Sequence, residues 1–238
     1  MSSPAATAYF WKGFRDGTPF IFVSGPFGLL FGVLAAEAGL KLVETMTLTA
    51  TVFAGAAQFT ALQLMKVDTP TLIVIASALT VNLRMAMYSA SLTPFMGAAP
   101  LWQRALAAYL MVDQSYALSI VKFETEPKLT VPQRMGYFFG SVAPVAVAWN
   151  LMTLLGAQVG GRIPDSFALD FAMPIAFLAM VTPMLRTPAH LVAAGVSIAI
   201  ALLAAGLPYN LGLIVAGIAA MMAGARTELM LRRRGLWT

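Results

Sequence analysis

The sequence has no cysteine and a single histidine in 238 residues. Disulfide frameworks, thiolate zinc sites and histidine-clustered metal centres are excluded with them, and no cofactor is expected. Charge is scarce as well: 11% of residues are Asp, Glu, Lys or Arg, against about 25% in an ordinary soluble domain. With 59% apolar residues and a mean hydropathy of +0.80, the chain is not a soluble enzyme. An HExxH helix is missing, which argues against an intramembrane metalloprotease, and no GxxxxGK[ST] loop is present to cradle ATP phosphates. The net charge of +5 is spread over short loops and chain ends rather than gathered in one stripe, so it points to membrane orientation and not to nucleic acid.

What is present is long apolar sequence. A bilayer core about 30 Å thick needs roughly 20 apolar residues at 1.5 Å each. Residues 17–36, 45–65, 135–161 and 187–225 carry no Asp, Glu, Lys or Arg. The last run is long enough for two helices, divided near Gly206, Pro208 and Asn210. Three further apolar segments contain isolated charges: Arg84, the pair Arg104 and Asp113, and Asp170. The fold class expected is all-α, one transmembrane helical bundle over residues 1–238. About eight spans (seven or eight) fall near 18–37, 45–65, 70–93, 101–121, 136–157, 167–185, 188–206 and 209–225. A re-entrant element among them is compatible with the pattern. The first apolar run is interrupted by Gly and Pro and lacks a signal-peptide cleavage pattern, so the N-terminus is expected to stay attached. Placing both termini in the cytoplasm puts eleven Lys and Arg inside and three outside, Lys41, Arg104 and Arg162, with Arg84 within a span.

Sliding the chain against itself by 118 positions aligns Pro26 with Pro144, Phe53 with Phe171 and Thr69-Pro70 with Thr187-Pro188, which suggests repeat halves 14–121 and 132–225. Four spans between equivalents would give the halves the same orientation, and Pro26 and Pro144 would mark helix breaks lining a cavity. Gln58, Asn82 and Arg84 meet Ala176, Ile200 and Leu202 at this offset, so polarity is concentrated in the first half.

Arg84 lies near the middle of the third span, where a charge costs about 2.5–3.5 kcal/mol on insertion scales. Ser77, Thr80, Tyr88 and Ser91 share its helical face. Asp113 lies equally deep in the fourth span, with Tyr109 and Tyr116 expected on its face. Two opposite charges at such depth are expected to pair or to face one polar cavity, either as a static brace or as a working site. Gln58 sits among small residues and suits helix packing as well as ligand contact. Asn82 shares the cavity of Arg84 only if the helix is broken nearby.

The stretches Gly25-Pro26-Phe27-Gly28, Phe53-Ala-Gly-Ala-Ala-Gln58-Phe59, Asn82-Leu83-Arg84 and Asp113-Gln114-Ser115-Tyr116 resemble, in their order along the chain, the AzlC family of branched-chain amino acid transport proteins. The resemblance implies a bacterial inner-membrane exporter of branched-chain amino acids, driven by the proton gradient and working with a small AzlD-like membrane partner. Gln114 and Met85 depart from the acidic residue and histidine often found in the family, which bears on substrate range and proton relay. For an apolar amino acid zwitterion, Arg84 suits the carboxylate through paired hydrogen bonds, and Asp113 suits the ammonium group or a coupling proton. Gln58, Asn82, Tyr88 and Tyr116 would supply neutral hydrogen bonds, and Phe27, Phe53 and Phe59 an apolar cup. An uptake permease and a noncatalytic membrane subunit that holds a partner remain as alternatives.

Overall fold

Glycines at i, i+4 spacing, Gly13 with Gly17, Gly28 with Gly32, Gly136 with Gly140 and Gly156 with Gly160, decide the central contact of the molecule. In the computed structural model, which describes residues 4–160, 185, 187–207 and 211–234, the described residues form helices and no strand. Helices α1 (Pro4–Gly17) and α2 (Ile21–Glu37), joined through the short 3₁₀ turn Thr18–Phe20, make one stretch that runs alongside the 30-residue helix α8 (Val131–Gly160). Gly13 and Gly17 rest on the backbone of Tyr137 and Ser141, while Gly140 and Gly136 rest on that of Phe10 and Ala6. Further along, Gly28 lies on Trp149, Gly32 on Thr153, Gly156 on Leu29 and Gly160 on Val33. The numbers rise together, so the two stretches are parallel. Missing side chains let backbone meet backbone, the arrangement small-xxx-small motifs produce where lipid supplies no hydrophobic drive.

The remaining helices are α3 (Leu42–Thr51), α4 (Gly55–Lys66), α5 (Thr71–Met96), α6 (Leu101–Tyr109), α7 (Asp113–Thr125), α9 (Pro188–Leu203) and α10 (Leu211–Arg233). Among the described residues, Ala5–Glu37, Thr71–Met96, Val131–Gly160 and Leu211–Arg233 are long and apolar enough to cross a bilayer. The expected spans 188–206 and 209–225 correspond to α9 and α10. The span expected at 167–185, the residues aligned with Phe53 and Gln58 at an offset of 118, and the Pro208–Asn210 break lie outside the described residues, Leu185 excepted.

The chain divides into two compact units, one of residues 1–62 and 81–167, the other of residues 63–80 and 168–238. In the second, α9 and α10 pack antiparallel: Gly212 lies against Ala204, and Gly224 faces Ala193. Thr187 caps α9, its Oγ1 accepting from the His190 amide at 3.3 Å.

In the first unit, the expected spans 45–65 and 101–121 are each two short helices, and the chain reverses between them. Along α5, Arg84 meets Asp113, Tyr88 stacks on Tyr116, and Phe95 touches Phe123, so α7 runs parallel to α5. Helix α6 runs the other way: Arg104 Nη1 donates to the Gly97 carbonyl at 3.1 Å, and Ser89 reaches Met111. Helices α6 and α7 are therefore the arms of a re-entrant hairpin, entering and leaving at the end where α5 finishes. This corrects the expectation that α5 and the 101–121 segment are antiparallel spans. It also moves Arg104, expected on the opposite side, to the end that carries Lys12, Lys122 and Arg134.

Helices α3 and α4 form a second hairpin. Gln58 Nε2 reaches Thr49 Oγ1 at 3.2 Å, whereas nine residues of continuous helix would separate them by about 13 Å. The arm order agrees. Residues 81–96 of α5 run antiparallel to α8, with Arg134 Nη1 bonded to the Phe95 carbonyl at 3.1 Å, and α2 runs parallel to α8. The segment between α2 and α5 thus leaves and returns on one side. Arms of 9 to 13 residues span about 14–20 Å, enough to reach the middle of a bilayer and no further. The two hairpins enter from opposite sides. Their breaks are spaced by 58 residues: Thr51 and Tyr109 end α3 and α6, and Gly55 and Asp113 begin α4 and α7.

Pro26 and Pro144, expected to break helices, lie inside α2 and α8 without interrupting them. The breaks fall instead at residues 52–54 and 110–112, where no proline stands. A run of β-branched Thr45, Thr47, Thr49, Thr51 and Val52 weakens helix propensity before the first break. At the second, Val112 is extended and its amide is held by Ser115 Oγ at 3.1 Å.

Helix α1 is tied to the end of the α6–α7 hairpin by Glu126, which accepts from Lys122 at 2.6 Å, Tyr9 at 3.0 Å and Lys12 at 3.2 Å. Hydrogen bonds from Lys122, then Lys12 and Tyr9, hold its carboxyl down at about 2. Because the folded value is depressed, this tie is complete above the ordinary value of 4.5 and is lost as pH falls toward about 2. Carboxyl-carbon NMR of the labelled protein should show Glu126 titrating near 2, and Lys12→Met should move it upward.

Candidate functional site

The tips of the two hairpins meet. Tyr109, the last residue of α6, donates its hydroxyl to the Ala50 carbonyl in the last turn of α3, and its ring lies 6.2 Å from that of Phe53. Just beyond the second tip, Asp113 begins α7. A carboxylate in the first turn of a helix is favoured by the exposed amides and the positive end of the dipole. Its partner is Arg84, with Nη1 3.1 Å from Oδ2. Arg84 lies twelve residues before the end of α5, about 18 Å along the axis. The pair is neither sealed nor open: 29% of the Arg84 side chain and 28% of the Asp113 side chain remain accessible. Arg84 Nε and Asp113 Oδ1 have no protein partner, so neither group is fully satisfied by the other.

Tyr88 and Tyr116 stand one turn further along α5 and α7, stacked at 4.1 Å and 9°, with the Tyr116 hydroxyl 3.1 Å from Ser91 Oγ. Asn82 lies two residues from Arg84 on the unbroken α5, and its buried Oδ1 has no partner. A cleft of about 300 Å³ between α5 and α6 runs past Gly97, Thr93 and Leu92 to Met111, two residues from Asp113.

Gln58 belongs to a separate cluster around the first tip. It is fully buried, and its Nε2 donates to Thr49 Oγ1 and to the Val52 carbonyl. Trp149 donates from Nε1 to the same Thr49 oxygen at 2.9 Å, lays its ring over Gly55 and stacks on Phe31. Phe59 touches both Phe27 and Phe31. Phe27 and Phe59 therefore share one aromatic wall, whereas Phe53 faces Tyr109. Sequence reasoning missed Tyr109, Thr49 and Trp149 as site residues. Trp149 lies in an uncharged run and carried no polar signal, and Tyr109 was expected on the same helix as Asp113. Replacing Tyr109 with Phe should loosen the tips by about 1 kcal/mol, read as roughly fivefold faster hydrogen exchange at residues 110–114.

The AzlC protein family model matches residues 19–163, more than half of the chain, covering both hairpins and both tips. The chain belongs to the AzlC family. The chain is also similar to an uncharacterized membrane protein of Archaeoglobus fulgidus, 30% identical over 78% of this chain and 80% of that protein, and to another of Helicobacter pylori, 26% identical over 72% and 75%. No solved structure matches. This AzlC protein is a membrane protein of several apolar helices, in keeping with a membrane transporter.

Proposed function

We propose that this AzlC protein is a secondary carrier that exports branched-chain and similar apolar amino acids across the bacterial inner membrane, with its termini in the cytoplasm. The observation that carries the reading is the incompletely satisfied Arg84–Asp113 pair at a hairpin tip near mid-depth. A zwitterion offers the two charges that can replace each partner: its carboxylate goes to the guanidinium and its ammonium to Asp113 Oδ1 and Oδ2. The site is neutral both empty and loaded, so the loaded site adds no net charge to the barrier. Tyr88 and Tyr116 supply hydroxyls, and Phe53, which faces Tyr109 where the tips meet, supplies apolar surface for the side chain. The cleft ending at Met111 is the approach from the Lys12 side. Export draws on the proton gradient. A small AzlD-like partner completes the transporter.

Efflux of labelled leucine, valine, isoleucine and methionine from preloaded cells tests this, with and without the partner and after collapse of the pH gradient. Efflux that requires the chain and falls with the gradient is expected. Accumulation instead of loss would make it an uptake permease. Reconstituted chain and partner that move no amino acid would leave it a noncatalytic subunit.

A further inference from the structure

Three buried side-chain oxygens at and one turn from the first hairpin tip, on Gln58, Thr45 and Thr153, lack partners. The buried amide of Gln58 is oriented by its Nε2, which is committed to Thr49 Oγ1 and the Val52 carbonyl, and its Oε1 is left without a partner. The last carbonyls of α3 form the negative end of that helix, and the Leu48 and Val52 carbonyls accept from the Val52 and Ala54 amides. That they accept readily is visible in the Tyr109 bond to Ala50 and the Gln58 bond to Val52. One turn beyond Thr49 and Trp149 lie Thr45 and Thr153, both fully buried, and neither hydroxyl has a partner. Thr51, Thr60 and Thr93 instead donate to the carbonyl four residues earlier. Helices α3 and α8 are antiparallel here, because α3 turns back from α2 and α2 is parallel to α8, so Thr45 and Thr153 stand at the same level. Phe31, Phe59 and Trp149 wall the cluster, all less than a tenth exposed.

From this we infer that the break of the first hairpin is a binding site for a small monovalent cation, either Na⁺ or the primary ammonium of the amino acid. Gln58 Oε1 and the Thr45 and Thr153 hydroxyls are its oxygen ligands, and the negative end of α3 lies one turn away. The donor set is neutral and contains no carboxylate, which suits a singly charged ion and not Ca²⁺ or Mg²⁺. Broken helices whose carbonyl ends hold a coupling cation are a recurring device of secondary transporters. The ammonium occupant rests on the carrier reading above, with this site in place of the Asp113 contact; the Na⁺ occupant does not.

The test is the thermal unfolding midpoint of the full chain in lipid nanodiscs, in choline chloride, with either NaCl or leucine added. A NaCl-dependent rise makes Na⁺ the occupant, and a rise with leucine in the absence of Na⁺ makes it the ammonium. In either case Gln58→Leu and Thr45→Val should weaken the half-saturating concentration at least tenfold, and Gln58→Glu should tighten it at least tenfold. The inference is overturned if neither solute shifts the midpoint, or if the shift is the same in all three variants. A leucine shift that disappears in Arg84→Gln but persists unchanged in Gln58→Leu would remove the cation site and leave the carrier standing.

Discussion

Arg84→Gln and Asp113→Asn are each expected to lower amino acid efflux at least 100-fold, and the two are expected to differ in how they damage the protein. Neutralising one partner leaves the other charge in the bilayer without compensation. Breaking a buried pair this way costs about 3–5 kcal/mol, and the partial exposure of both side chains places this pair at the lower end of that range. Each single variant should therefore reach the membrane in reduced amount. The double variant Arg84→Gln with Asp113→Asn strands no charge, so it should regain normal abundance while efflux stays lost. That separation is the informative result: a pair that only braces the bundle would recover efflux together with abundance. Quantitative immunoblotting of membranes alongside labelled-leucine efflux reads both quantities.

The second large effect is expected where backbones touch. A Cβ added at Gly140 meets the Phe10 carbonyl, and one at Gly17 meets the Ser141 carbonyl, at separations no real side chain shows. Gly140→Leu and Gly17→Leu should each destabilise the protein by about 3 kcal/mol or more, above the usual range for overpacking because backbone must move. Gly195 and Gly217, inside α9 and α10, face open space and serve as controls. Alanine there should be neutral or stabilising by roughly 0.5–1 kcal/mol, the ordinary difference between glycine and alanine in a helix. Steric-trap or denaturant unfolding in lipid would rank the four. Equal losses at all of them would mean that the close parallel contact is absent in the membrane.

The apolar runs, the membrane class and the association of the two deep charges, as a pair or across one cavity, were legible from composition and position alone. The direction of the chain was not. A run of 20 to 25 apolar residues has the same hydropathy whether it crosses once or enters and turns back, so 45–65 and 101–121 read as spans. The turn-back leaves its trace in contacts distant in sequence, such as Tyr88 with Tyr116 and Gln58 with Thr49. Proline misled for a related reason. In a packed membrane helix the freed backbone groups find other partners, so Pro26 and Pro144 sit inside helices. The breaks themselves came where β-branched residues and an N-terminal Asp made a helix end inexpensive.

The direct contact of the α1–α2 stretch with α8 also constrains how the molecule moves. Where two backbones touch there are no long side chains to slide or swap rotamers, so the interface has one register and resists shear. It acts as a stator. In the carrier proposed above, conformational work would fall to the thinner arms, hinged at Val52–Ala54 and Leu110–Val112, against a wall that stays in place.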